Sequence, residues 1–208
     1  MSDLVYFYLE GHAAHYAAGH PERPERVEAI CQALQAAGWW EGYPQLAPLP
    51  LTQADLELAH HPTYLEELRR ACQRGAWLDG DTYTTPASWQ LAVNAAGGAA
   101  AVAQAIWQGR ARRGLALTRP PGHHATARRG MGFCLLNNVA LPRYSHGNQP
   151  DVHLVLLYVS STGVGEIARH SRVLVDRARC IDLGAGGIHR FVVLLHQGRL
   201  LCQGDRSG

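Results

Sequence analysis

The sequence predicts an α/β fold in which a parallel sheet is flanked by helices and a site lies at the carboxyl ends of its strands. Three observations carry that prediction. Short apolar runs alternate with longer segments of helical periodicity, those segments have recognisable starts and stops, and a polar Pro/Gly loop directly follows one apolar run.

The elements follow in chain order. Leu4–Leu9, LVYFYL, is apolar and aromatic and reads as a buried strand. From Pro24 the residues Val27, Ile30, Cys31, Leu34 and Ala37 recur at helical spacing, with proline suited to a first turn and Gly38 as a stop. Thr52-x-x-Asp55 has the form of a capping box and opens a short helix. Pro62 opens another, carrying Tyr64, Leu65, Leu68 and Cys72 and ending near Gly75. Thr85-Pro86 starts a long interior helix through Trp89, Val93, Ala96, Ala100, Ala103 and Trp107, and its Gly97-Gly98 centre admits a second backbone. Leu115–Thr118 is a short strand, and Cys134–Ala140 reads as the start of a helix. Beyond Ala140 only Val152–Val159 and Phe191–Leu195 read cleanly, as strands.

Composition narrows the function classes. A 47% hydrophobic content over 208 residues is that of a globular chain, long enough for one substantial core or two small ones. No apolar run approaches the roughly 20 residues of a membrane helix, and MSDLVYFYLEGH lacks a basic start and a cleavage site, so a cytoplasmic location without membrane insertion is expected. The five cysteines, Cys31, Cys72, Cys134, Cys180 and Cys202, form no C-x-x-C pair and read as reduced thiols. All the basic residues are arginines, and their clusters lie far apart without interleaved aromatics, which argues against a nucleic-acid partner.

The stretch richest in chemistry is Arg119–Asn138, RPPGHHATARRGMGFCLLNN. His123 and His124 could be metal ligands, proton carriers or ordinary polar loop residues. Neighbouring residues of an extended loop point to opposite sides, so the two rings do not readily share one small ion. An imidazole, with an ordinary pKa of about 6.5, suits proton transfer near neutral pH, and Pro120-Pro121-Gly122 restricts the loop that presents it. A general base beside a site completed from elsewhere is the better chemical reading.

RPPGHHA followed by GMGFCLLNNVA closely resembles the signature of the histone deacetylase superfamily, which includes bacterial class II-like deacetylases and acetylpolyamine amidohydrolases. Gly19–Arg26 (GHPERPER), Ala59–Leu65 (AHHPTYL), Asp79–Pro86 (DGDTYTTP) and Ala95–Ala99 (AAGGA) resemble the family's preceding motifs in order. The resemblance spans residues 4–140, about two thirds of the chain.

The resemblance implies a three-layer arginase/deacetylase-like fold and a zinc-dependent hydrolase acting on the amide of an acetylated lysine or polyamine. It implies that His124 is the general base and His123 its more buried partner. It further implies that Gly132 lets its carbonyl approach the substrate, and that Phe133 lines a narrow tunnel for an acylated amine chain. Asp81 and Thr82 fall at the tunnel mouth, where they either bond the substrate or simply initiate a turn. Read from the residues alone, Phe133 is a core aromatic, and His20 with the 22–26 run is a salt-linked start to a helix.

The family pattern fails after residue 140. Its D-x-D-x-H-H-G-N-G-T segment, which supplies an aspartate and a histidine to zinc, is absent in order, as are the later aspartate and tyrosine. In its place stands Tyr144–His153 (YSHGNQPDVH), where Asp151-x-His153 sets two candidate ligands on one face of a strand. The metal ligands are therefore unassigned. The chain divides into residues 1–140, the first portion of a deacetylase domain, and 141–208, a divergent or out-of-frame tail. Three readings stand: a zinc-dependent deacetylase, a truncated fragment or acyl-amine binding module without the metal, and a partner that docks on a full-length copy. The oligomeric state is open.

Overall fold

The computed structural model describes residues 2–145, 152–159 and 190–197, the last two segments as backbone strands only. The elements are β1 (Ser2–Tyr8), α1 (Glu25–Ala36), α2 (Trp39–Gly42), α3 (Gln53–Glu57), α4 (Pro62–Arg74), α5 (Ser88–Trp107), β2 (Ala111–Leu117), α6 (Ala140–Ser145), β3 (Val152–Val159) and β4 (Arg190–Gln197).

Strand β1 pairs in parallel with β2, Val5 opposite Gly114 and Phe7 opposite Ala116. A parallel pair needs a crossover, and the connection between the two strands runs through α5. The pleat then divides the apolar side chains between two faces. Phe7 and Leu9 pack with Leu91, Ala95, Ala99 and Val102 of α5, whereas Leu4, Tyr6, Leu115 and Leu117 pack with Val27, Ile30 and Leu34 of α1. Helix, sheet and helix thus form three layers. Behind α5, Ala92 and Ala96 meet Leu65, Leu68 and Cys72 of α4.

Local chemistry explains where these elements begin and end. The Thr52 hydroxyl accepts from the Asp55 N–H while the Asp55 carboxylate accepts from the Thr52 N–H, the reciprocal box expected from the sequence. Gly75 closes α4 in the left-handed conformation, φ 62°. Gly97 and Gly98 let α5 lie against the rest of the fold. A Cβ on Gly97 would run into the Leu49 carbonyl, and one on Gly98 into the Phe7 ring.

One expectation is extended and one is corrected. The sheet runs in the order β1-β2-β4-β3 and is mixed, because β4 pairs antiparallel with β2 and β3 antiparallel with β4. Among the described strands, β1 and β2 make the expected parallel pair between flanking helices. The helix expected from Cys134 begins six residues later, at Ala140. The intervening backbone is used otherwise: Leu135 N–H donates to the Pro121 carbonyl at 3.2 Å, and Met131 and Cys134 bridge to each other. The Asn137 side-chain carbonyl then accepts from Val139 and Ala140 N–H, which caps α6 where the loop is finished.

Among the described residues no helix is long and apolar enough to cross a membrane, and Cys31, Cys72 and Cys134 are buried free thiols.

Candidate active site

Arg119 lies two residues past the end of β2, so the 119–124 loop leaves the carboxyl end of a parallel strand, where open α/β sheets place their ligands. The loop is pinned on both sides. His60 Nδ1 bonds the Thr126 carbonyl at 2.9 Å, and the His61 N–H donates to the Ala127 carbonyl at 2.7 Å. The Asn137 amide donates to the Ala125 carbonyl at 2.8 Å, and Gly122 packs under Leu136 and Asn138 with no room for a side chain.

The rings of His123 and His124 lie 4.1 Å apart at 51°. They differ in exposure: His123 is half-buried and His124 exposed. Burial pushes the His123 pKa down to about 3, aided by repulsion from His124 and Arg26, and its Nδ1 lies 3.7 Å from the buried Cys134 thiol. The surroundings of that thiol raise its own pKa to about 12, mainly by desolvation, so it stays protonated. Desolvation also lowers the His124 pKa, with the Asp81 carboxylate acting in the opposite sense. Both imidazoles are therefore neutral at neutral pH, and His124 is the more open of the two to solvent.

The other predicted residues gather around this pair. Gly132 has φ +57°, and a Cβ there would stand 3.0 Å from the His124 ring. Phe133 adopts φ +70°, a left-handed conformation that costs an L-residue about 1–2 kcal/mol and here swings its ring against His20, centroids 4.8 Å apart. The Phe133 N–H donates to the Thr82 hydroxyl at 3.1 Å, and that hydroxyl donates to the Asp81 carboxylate at 3.1 Å. Asp81, Thr82, Phe133, Gly132, His124 and His123 thus occupy one neighbourhood. Thr82 is fully buried and spent on its neighbours, so within the pair Asp81 alone faces solvent. Of the two tail candidates, Asp151 lies outside the described residues, and His153 stands in β3 opposite His196.

The 20–26 run starts a helix, as its sequence predicts, and that is half of its role. Glu22, 1% exposed, accepts from Arg26 at 3.0 Å and from Arg119 Nε at 2.9 Å, and Tyr83 donates to it at 3.2 Å. Arg119 also donates to the His12 carbonyl at 2.6 Å and to the Tyr83 hydroxyl at 2.9 Å. His20 accepts the Glu22 N–H on Nδ1 at 3.0 Å, which leaves its Nε2–H to donate to the Asp81 carbonyl at 3.0 Å. An arginine placed directly before the Pro-Pro-Gly-His-His run was the one sequence signal for this buried layer. Its carboxylate partner, ninety-seven residues away, had none.

The enclosed histidines make a stability prediction. Burial and the Arg119 charge hold His12 near pKa 4 and His15 near 3, and His123 stands near 3, against an ordinary 6.5. Because each folded pKa lies below the unfolded one, the stability is whole above pH 6.5 and is lost as pH falls toward 3–4, when only the unfolded chain takes up the proton. Each group contributes about 1.4 kcal/mol per pH unit across that window. Urea midpoints measured from pH 7 to pH 5 should fall steadily, and a flat profile would refute the neutral burial.

An α/β frame with a paired-histidine loop at a strand's carboxyl end defines the class, and comparison with known proteins gives the family. The histone deacetylase domain family matches residues 20–145, and the chain belongs to it. Histone deacetylase 15 of Arabidopsis thaliana is 39% identical over 129 residues, 60% of this chain and 23% of that protein. A probable deacetylase of Methanothermobacter thermautotrophicus is 37% identical over 142 residues, 66% of this chain and 41% of that protein. The crystal structure of the HDA15 HD domain superposes with a TM-score of 0.64 at 35% identity, covering 68% of this chain and 42% of that one. The fold is therefore the deacetylase fold, and the chain spans a quarter to two fifths of the length of these relatives.

Proposed function

We propose that residues 1–140 form the first portion of a deacetylase domain, and that its site hydrolyses the amide of an acetylated amine, acetyl-lysine or an acetylated polyamine, with His124 as general base. The observation that carries this is the exposed, neutral His124 ring standing beside the Gly132 backbone and the Asp81–Phe133 wall. A neutral imidazole open to solvent takes the proton of a water as its oxygen attacks the acyl carbon. The same proton then passes to the departing amine, so acetate and free amine leave and the base is regenerated. His123, kept neutral by burial, adds no second positive charge to the imidazolium formed beside it. Gly132 and Phe133 shape an approach for a slender acyl-amine chain.

The resemblance implies zinc, and a catalytic zinc site takes about three protein ligands. Among the described residues no three His, Cys, Asp or Glu side chains converge, so these residues do not by themselves fit the ion, and the role of His124 is derived without it. That same observation favours a second reading, an acyl-amine binding module. Incubating the full chain with an acetyl-lysine peptide and an acetylated polyamine, with and without added zinc, separates the two. Release of acetate supports the hydrolase. Saturable binding without acetate release supports the module, and neither would sink both.

A finer test concerns Asp81. Its carboxylate raises the His124 pKa, so Asp81→Asn should lower that pKa and move the acid limb of the kcat/KM profile to lower pH. An acid limb that stays in place would separate His124 from that titration.

A further inference from the structure

We propose that Glu22 is a positioning residue for this site: its carboxylate sets where Arg119 launches the loop and hence where His123 and His124 stand. Only the kinetic consequence of this rests on the proposed hydrolase. Glu22 is one buried acceptor shared by three segments that are remote in sequence. Oε1 takes Arg26 from the first turn of α1 at 3.0 Å and Arg119 Nε from the end of β2 at 2.9 Å, while Oε2 takes the Tyr83 hydroxyl at 3.2 Å. His15, its Nδ1 2.6 Å from the Ser88 hydroxyl, holds Nε2 3.6 Å from the same carboxylate and stacks on Tyr83 at 4.2 Å.

A carboxylate with 1% exposure has lost its hydration, and what replaces it is a fixed set of charged donors in a low-dielectric setting. Such donors have one good arrangement. Arg119, itself 1% exposed, is therefore not free to choose another rotamer, and its backbone begins the six residues that end at His124. The downstream end of the loop is held separately, by His60 and Asn137. Glu22 thus governs the upstream anchor. Through its N–H it also holds His20, whose Nε2–H supports the Asp81 carbonyl, so the same residue aligns the acidic rim with the histidines.

The test uses the full chain with ¹⁵N,¹³C-labelled histidine, the His123 and His124 ring signals being assigned by loss in single variants. In Glu22→Gln the His123 and His124 ring signals should shift while the β1 amide signals and the circular dichroism persist. Glu22→Asp, retaining charge, should return the rings part-way. Thr52→Ala, a comparable loss of a polar contact at the distant capping box, should leave both rings unmoved. If Glu22→Gln does not fold, Arg119→Lys keeps the charge but loses the planar fork and should displace the same two signals. Ring signals unchanged in the folded variant, or displaced equally by Thr52→Ala, would overturn the proposal. A wild-type chain that releases no acetate would sink the hydrolase reading and leave the ring signals to decide this one. Where turnover is present, kcat should fall at least tenfold in Glu22→Gln with KM nearly unchanged, and the opposite split would count against it.

Discussion

His124→Ala should lower the turnover of an acetylated amine by a factor of about 10²–10⁴, the usual contribution of a positioned general base. The size follows from what the ring does and from what it does not do. It is neutral, open to solvent and beside the Gly132 backbone, so its removal takes away an exposed proton acceptor. It is also exposed, so truncation should change stability by no more than about 0.5 kcal/mol. A large kinetic loss with an unchanged unfolding midpoint is therefore the expected pair of results. His123→Ala makes the contrast, since that half-buried ring packs by the Cys134 thiol and its loss should cost stability as well as rate. Substrate binding measured alongside turnover completes the test. Wild-type rates in a folded, substrate-binding His124→Ala variant would remove His124 from the chemistry.

Why the frame was legible and the site only partly so comes down to the range of the interactions. The helices over 25–36, 53–57, 62–74 and 88–107 are announced by local signals: a proline in the first turn, a capping box, a glycine stop and apolar spacing. Each is written within a few residues. The 134–140 stretch misled because its apolar residues are shared between core and loop, and pairing with Pro121 consumes the backbone that a helix would have used. The antiparallel course of β4 was illegible for a related reason. An apolar strand pattern fixes which residues are buried but not the direction in which a partner pairs.

The site divides along the same line. His123, His124, Gly132, Phe133, Asp81 and Thr82 were all read from motifs, and the structure brings them together. Motif reading could not show that Thr82 is consumed by Asp81 and Phe133, or that Phe133 sits at positive φ, because both are tertiary facts. Glu22 was visible only as a charge beside prolines. Its meaning lies in Arg119 and Tyr83, and nothing local to residue 22 names either.

Gly122→Ala tests whether the loop itself has any freedom, and its expected effect on stability is the largest of any single-methyl change in the site. A Cβ at residue 122 would fall on the Leu136 carbonyl oxygen and on the Asn138 side chain, with Asn138 Cγ only 2.7 Å away. Neither neighbour yields cheaply. The Leu136 carbonyl accepts the Asn138 N–H at 2.8 Å within a backbone turn, and the Asn138 amide is held by the Thr118 hydroxyl at 3.0 Å. Relief must come from moving the 120–124 backbone away from 135–138, which breaks the Leu135 to Pro121 bond. The cost should be about 3 kcal/mol, the upper end of what overpacking a buried site usually costs. Gly132→Ala supplies the comparison, for its Cβ would meet only the edge of the His124 ring at 3.0 Å, and the strain is that of φ +57°. Gly132→Ala should therefore perturb the His124 ring signal strongly and the unfolding midpoint by about 1–2 kcal/mol. Gly122→Ala should reverse that ranking, with a steep loss of stability before any change specific to His124. Equal stability for the two variants would mean that the loop can rise off the 135–138 turn, and that the histidines are held from the Arg119 side alone.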